Sequence, residues 1–128
     1  MSYYINKTIT ANFDQAIELV TEALKKEGFG VLSEIDIQQK LKEKLEVEFR
    51  KYKILGACNP SSAYEALQQE DKIGTLLPCN VIVQQTGENQ VEVAAVDPIS
   101  SMMALENKEL AKIADDIKAK LERVIESL

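Results

Sequence analysis

The chain has 128 residues, 45% of them apolar and 28% charged, with a net charge of -6; these are values of a soluble globular domain and not of a disordered or membrane chain. The acidic balance disfavours binding to nucleic acid or anionic lipid, where Lys and Arg must neutralise phosphates, and no run approaches the ~20 apolar residues of a membrane span. Histidine is absent altogether, which removes the commonest general base and the commonest nitrogen ligand of transition metals.

A chain of this length buries roughly two-thirds of its unfolded surface on folding, so residues 1–128 are expected to form a single domain without a disulfide or metal staple. Met1-Ser2-Tyr3-Tyr4-Ile5-Asn6-Lys7 lacks the basic and apolar blocks of a secretory signal. With that start, the two cysteines are expected to be reduced thiols of a cytoplasmic protein.

Residues 3–9 alternate Tyr3, Ile5, Lys7 and Ile9 against Tyr4, Asn6 and Thr8, the pattern of a strand. Asn12 then opens a helix, with Gln15 three residues on as in a capping box. Phe13, Ala16, Ile17, Val20 and Leu24 put one apolar stripe on it, and Gly28 ends it.

Phe29–Ile35 reads as a second strand. Residues 37–46 read as a charged, peripheral helix with only Ile37, Leu41 and Leu45 on its apolar side. Six basic and three acidic residues between Lys40 and Lys53 are read as a solvated face, with an anion-attracting rim as the alternative. Tyr52–Cys58 is a third strand.

Asn59 as N-cap and Pro60 at the first helical position start a helix running to about Glu70. The Lys72-Ile73-Gly74 segment is expected to be a loop, followed by a strand from Cys79 to Gln85. Thr86-Gly87-Glu88-Asn89 reads as a hairpin turn into a strand from Val91 to Val96. Asn107 caps a last helix from Lys108 to Ser127 that buries Leu110, Ile113, Ala114, Ile117, Leu121, Val124 and Ile125.

The order is therefore β-α-β-α-β-α-β-β-α, an α+β fold with helices on a mixed or antiparallel sheet. The hairpin is apolar on both faces, with Val81 and Val83 on one and Ile82 on the other. One layer of helices covers one face, so a partner subunit is expected over the other and the chain is expected to be a homodimer.

If the hairpin folds about residue 88, Cys79 lies near Asp97. If the helix after Cys58 runs back antiparallel to its strand, Cys58 reaches the same edge. All three prolines, Pro60, Pro78 and Pro98, adjoin these residues, and proline forces sharp corners. Cys58, Asn59, Cys79, Asn80 and Asp97 are thus the candidate ligand-binding residues.

The plainest reading makes the two cysteines small buried hydrophobes, Asn59 a cap and Asn80 a turn residue. A second makes Cys58 a reactive thiol at a helix N-terminus with Cys79 as resolving partner, in a redox or sulfur-handling protein. Asp97 opposes this, since a carboxylate disfavours a nearby thiolate. A third has Cys58, Cys79 and Asp97, with Met102, bind zinc or cuprous copper, and a fourth gives the helix amides with Ser61 and Ser62 to an anionic ligand.

Other signals fail. Gly28-Phe29-Gly30 follows a helix and precedes a strand, the reverse of a dinucleotide loop, and no phosphate loop, serine triad or paired carboxylates occur. Tyr52 and Tyr64 read as core or interface aromatics and not as stacking platforms. No reaction follows from these residues, and a binding module is favoured over an enzyme.

Three segments carry a resemblance: Tyr52-Lys53-Ile54-Leu55-Gly56-Ala57-Cys58-Asn59-Pro60, Leu76-Leu77-Pro78-Cys79-Asn80-Val81, and Asp97-Pro98 with Met102-Met103. With the Phe13-Asp14-Gln15-Ala16 helix start and Glu27-Gly28-Phe29-Gly30-Val31-Leu32, they resemble the prokaryotic family called domain of unknown function 302 over the whole chain. The resemblance implies a TATA-binding-protein-like curved antiparallel sheet with helices packed on one face, and a homodimer. It implies neither DNA binding nor a reaction.

Overall fold

A computed structural model describes residues 2–102 and 105–128, so Met103 lies outside the described residues. The elements in chain order are β1 (Tyr4–Thr10), α1 (Phe13–Lys26), β2 (Gly30–Asp36), α2 (Ile37–Leu45), β3 (Tyr52–Cys58) and α3 (Pro60–Gln69). A 3₁₀ helix (Asp71–Leu76) then leads to β4 (Cys79–Gly87), β5 (Gln90–Val96), the one-turn α4 (Pro98–Ser101) and α5 (Lys108–Glu126). No described helix is long and apolar enough to cross a membrane.

The strands form one antiparallel sheet in the order β1-β5-β4-β3-β2. It is curved, with the helices on one side, as the TATA-binding-protein-like reading expects. Val81 and Val83 of β4, Val91, Val93 and Ala95 of β5, and Leu55 and Ala57 of β3 point to that side. There they form the core with Ala16, Val20 and Leu24 of α1 and Ile117, Leu121 and Val124 of α5. Each fully buried Val or Leu contributes roughly 1.5–3 kcal/mol over leaving it exposed. Residues of opposite parity, such as Ile82 and Ala94, face the uncovered side.

The caps are where local chemistry put them. Asn12 Oδ1 accepts from the Gln15 N–H at 2.8 Å, Asn107 Oδ1 from Glu109 and Leu110, and Gly28 takes a positive φ of 86° after α1. Helix α2 buries no residue and is peripheral. Of the seven α5 residues expected in the core, Ile113 alone is only partly buried.

Three expectations need correction. Lys72-Ile73-Gly74 is not a loop but the middle of the 3₁₀ helix, because Ile73 buries itself with Ala66 and Leu110 in a second, smaller core. The hairpin turn is tighter than four residues: Gly87 pairs with Gln90 across Glu88-Asn89, and an irregularity between Gln85 and Gly87 takes up the slack. Asn89 sits there in the left-handed region at φ 53°, which asparagine tolerates better than most residues. Helix α4, unforeseen, follows from Pro98 at its first position and Asp97 as its cap.

Candidate functional site

Cys58 closes β3 and Cys79 opens β4, and the antiparallel register sets Ala57 opposite Cys79, so the two cysteines meet at one corner of the sheet. Asn59 then starts α3. Its Oδ1 accepts from the Ser62 N–H at 3.3 Å and its Nδ2 donates to the Glu27 carbonyl at 3.5 Å. One side chain therefore caps α3 and joins it to the end of α1.

Beside them Gly56 has no room for a side chain: a Cβ would run into the Ser33 hydroxyl and lie 2.9 Å from Pro78 Cγ. The Leu77–Pro78 peptide bond is cis.

A cavity of about 30 Å³ lies inside this corner, between the sheet edge, α3, α4 and α5. Cys58, Asn59, Cys79, Pro78, Pro98 and Met102 line it, with Ser62 and Ile113. It has room for one or two water-sized groups, since a water needs roughly 10–15 Å³ on the same measure. An organic metabolite does not fit.

Both thiols are free and partly buried. Burial pushes the Cys79 thiol up from its usual 9.0 to about 11, with neighbouring Cys58 adding to the effect. Cys79 is therefore a neutral thiol at physiological pH, poorly suited to attack.

Asp97 sits where the hairpin register puts it, two residues past the Val81–Ala95 pair as Cys79 is two residues before it. Its carboxylate turns elsewhere. Oδ1 accepts from the Ile99 and Ser100 N–H groups at 2.9 and 3.5 Å, and Oδ2 pairs with Lys118 Nζ at 3.0 Å. That hydrogen bond to Asp97 raises the Lys118 pKa. Asp97 does not line the cavity.

The five candidate residues thus divide. Cys58, Asn59 and Cys79 share the cavity with Met102, Asp97 ties β5 to α4 and α5, and Asn80 lies on the other face of the sheet. Among the described residues no three of Cys, Asp and Glu converge as a metal cluster. At the start of α3, the Ser62 N–H is held by Asn59 Oδ1 and the Ala63 N–H by the Asn59 carbonyl.

The open face carries a groove of which the sequence reading singled out Asn80 alone as a candidate ligand-binding residue. Tyr3, Tyr4, Tyr52, Asn80, Ile82 and Glu92 line this groove of about 400 Å³. Beside its apolar floor runs a hydrogen-bonded rail across the strands. Arg50 Nε donates to Gln84 Oε1 at 2.8 Å, Gln84 Nε2 to Glu92 Oε1 at 2.7 Å, and Asn6 Nδ2 to Glu92 Oε2 at 2.8 Å.

The Arg50 guanidinium also lies 4.3 Å from the Phe49 ring centre and 5.9 Å from that of Tyr52, within the range of cation–π attraction. Tyr52 therefore belongs to this face, whereas Tyr64 stands exposed on α3. The signal available in sequence was the parity of Asn80, Ile82 and Gln84 against Val81 and Val83.

The family model described as Domain of unknown function DUF302 matches residues 5–128. No curated protein matches the chain. Among solved structures, the crystal structure of an uncharacterized conserved protein DUF302 from Bacillus stearothermophilus has a TM-score of 0.89 at 28% identity, over 98% of each chain. A match running from the first strand to the final residue, joined to the same architecture in a solved member, places this chain in the family of domain of unknown function DUF302.

Proposed function

We propose that the chain is a cytoplasmic, homodimeric small-ligand-binding or accessory module whose ligand site is the groove on the open sheet face, covered by a second copy. The observation that carries this reading is the groove itself. At about 400 Å³ it has the size of small-molecule sites, roughly 300–1,000 Å³, and their composition of apolar floor, aromatic walls and a few fixed polar groups. Glu92 is held by amide donors from strands on both sides, so it presents a charge at a set position.

The second copy is supported by what the open face leaves uncovered. Tyr4 and Ile35 are exposed, and Ile54, Ile82, Ala94 and Val96 are only partly buried, which together make an apolar surface of the kind that marks an interface. Free thiols suit a reducing compartment. In the thiol-enzyme alternative Cys79 is the resolving partner, and burial keeps that thiol protonated up to about pH 11.

Tyrosine fluorescence tests the ligand site directly. The chain has four tyrosines and no tryptophan, and three of the four line the groove. A metabolite that seats there is expected to change tyrosine emission and raise the melting temperature, with both responses lost in Ile82→Arg. Light scattering at micromolar concentration is expected to give twice the 14.3 kDa of one chain, and Ile82→Arg half of that. A wild-type monomer contradicts the dimer, and a binding response that Ile82→Arg and Tyr52→Ala leave intact contradicts the site.

A further inference from the structure

We propose that the cysteine corner is a binding site for a single cuprous ion, held by the sulfurs of Cys58, Cys79 and Met102. The site is separate from the open-face groove and stands or falls independently of it. Three sulfur-bearing side chains from three elements, the end of β3, the start of β4 and the residue closing α4, line one cavity. Convergence of the only two cysteines in the chain with a methionine on one small cavity is not required by packing, since any small apolar side chains fill such a space.

The size of the cavity selects the occupant. About 30 Å³ admits a lone ion and excludes organic ligands. The remaining walls are mostly apolar, including Phe29, Ala57, Pro78 and Pro98. The oxygen-bearing neighbours are Asn59 and Ser62, and both functional ends of the Asn59 side chain are already hydrogen-bonded.

Thiolate and thioether donors select soft cations. Cuprous copper accepts the two or three sulfur ligands available, whereas a structural zinc site requires four donors. The fourth is missing: histidine is absent from the chain, and Asp97 is held by Lys118 at 3.0 Å.

Binding is ligand exchange without change of oxidation state. One Cu(I) replaces the protons of the Cys58 and Cys79 thiols, forming two copper–thiolate bonds and releasing two protons to solvent, with Met102 adding a neutral thioether. The resulting single negative charge lies next to the N-terminal end of α3, whose dipole favours it.

The experiment is anaerobic titration of the reduced protein with Cu(I) in competition with a chromophoric cuprous chelator. One equivalent is expected to transfer to the protein, with a sulfur-to-copper charge-transfer band and a copper–sulfur shell in X-ray absorption. Cys58→Ser and Cys79→Ser are expected to lose the uptake, and Met102→Leu to retain copper less well against the chelator. Cys79→Val, which keeps the apolar packing, serves if the serine variant does not fold.

Failure of the folded wild type to take copper from the chelator overturns the proposal, as does equal uptake by Cys58→Ser and Cys79→Val. Zinc bound one-to-one through the same sulfurs overturns the assignment to copper.

Discussion

Lys118 Nζ lies 3.0 Å from Asp97 Oδ2, so the carboxylate that caps α4 also anchors the middle of α5. Asp97 is buried, at 7% exposure, where a carboxylate without a charge partner and hydrogen bonds is costly to the fold. Asp97 has both. Asp97→Asn preserves the cap and loses the ion pair, while Asp97→Ala loses both. Stability is expected to fall in the order wild type, Asp97→Asn, Asp97→Ala, with the last step worth about 1 kcal/mol as a lost cap, read from urea unfolding.

Alkaline pH is expected to destabilise the fold through Cys79. Its thiol goes from a usual 9.0 to about 11 in the folded chain, so the native state holds its proton after the unfolded state has released it. The corresponding stability is fully present below pH 9 and is lost as pH rises toward 11, a change of about 2–3 kcal/mol. Lys118, whose pKa is also raised, acts in the same direction at higher pH. Urea midpoints measured from pH 8 to 11 should fall less steeply in Cys79→Val than in the wild type.

Gly56→Ala should cost about 1–3 kcal/mol as an overpacked strand position, because the added methyl meets the Ser33 hydroxyl and the Pro78 ring. Adding Ser33→Gly is expected to recover part of that loss and not all of it, since Pro78 remains. Thermal unfolding of the two variants gives the comparison, with the coupling expected of residues in contact.

Asn59→Asp keeps an acceptor for the Ser62 N–H and loses the donor to the Glu27 carbonyl. Asn59→Ala loses both and should cost about 1 kcal/mol or more. Hydrogen exchange is expected to separate them: Asp frees the end of α1 alone, while Ala also frays the first turn of α3.

What was legible in the sequence was local. The bounds of β3 and the caps Asn12, Asn59 and Asn107 depend on neighbours within four residues, and each stands as expected. The hairpin register was legible too, because one turn sets it, and it carries Val81 to Ala95 and Asp97 to the corner.

Contacts that close over long separations were not legible. Nothing near Asp97 marks Lys118 as its partner, and nothing near Ile73 marks Ala66 and Leu110 as the residues that turn a loop into a 3₁₀ helix. The rail from Arg50 through Gln84 and Glu92 to Asn6 spans four segments of chain. Its members look like ordinary surface residues until the sheet aligns them.

Cys79 and Asn80, adjacent in the chain, face opposite sides of the sheet. A single residue inserted in β4 would carry Val81 and Val83 out of the core and bring polar side chains in. The Asp71–Leu76 segment, by contrast, is anchored by one buried residue, Ile73. Natural length variants of this fold should therefore gain or lose residues between Glu70 and Leu77 and keep the count from Cys79 to the turn unchanged.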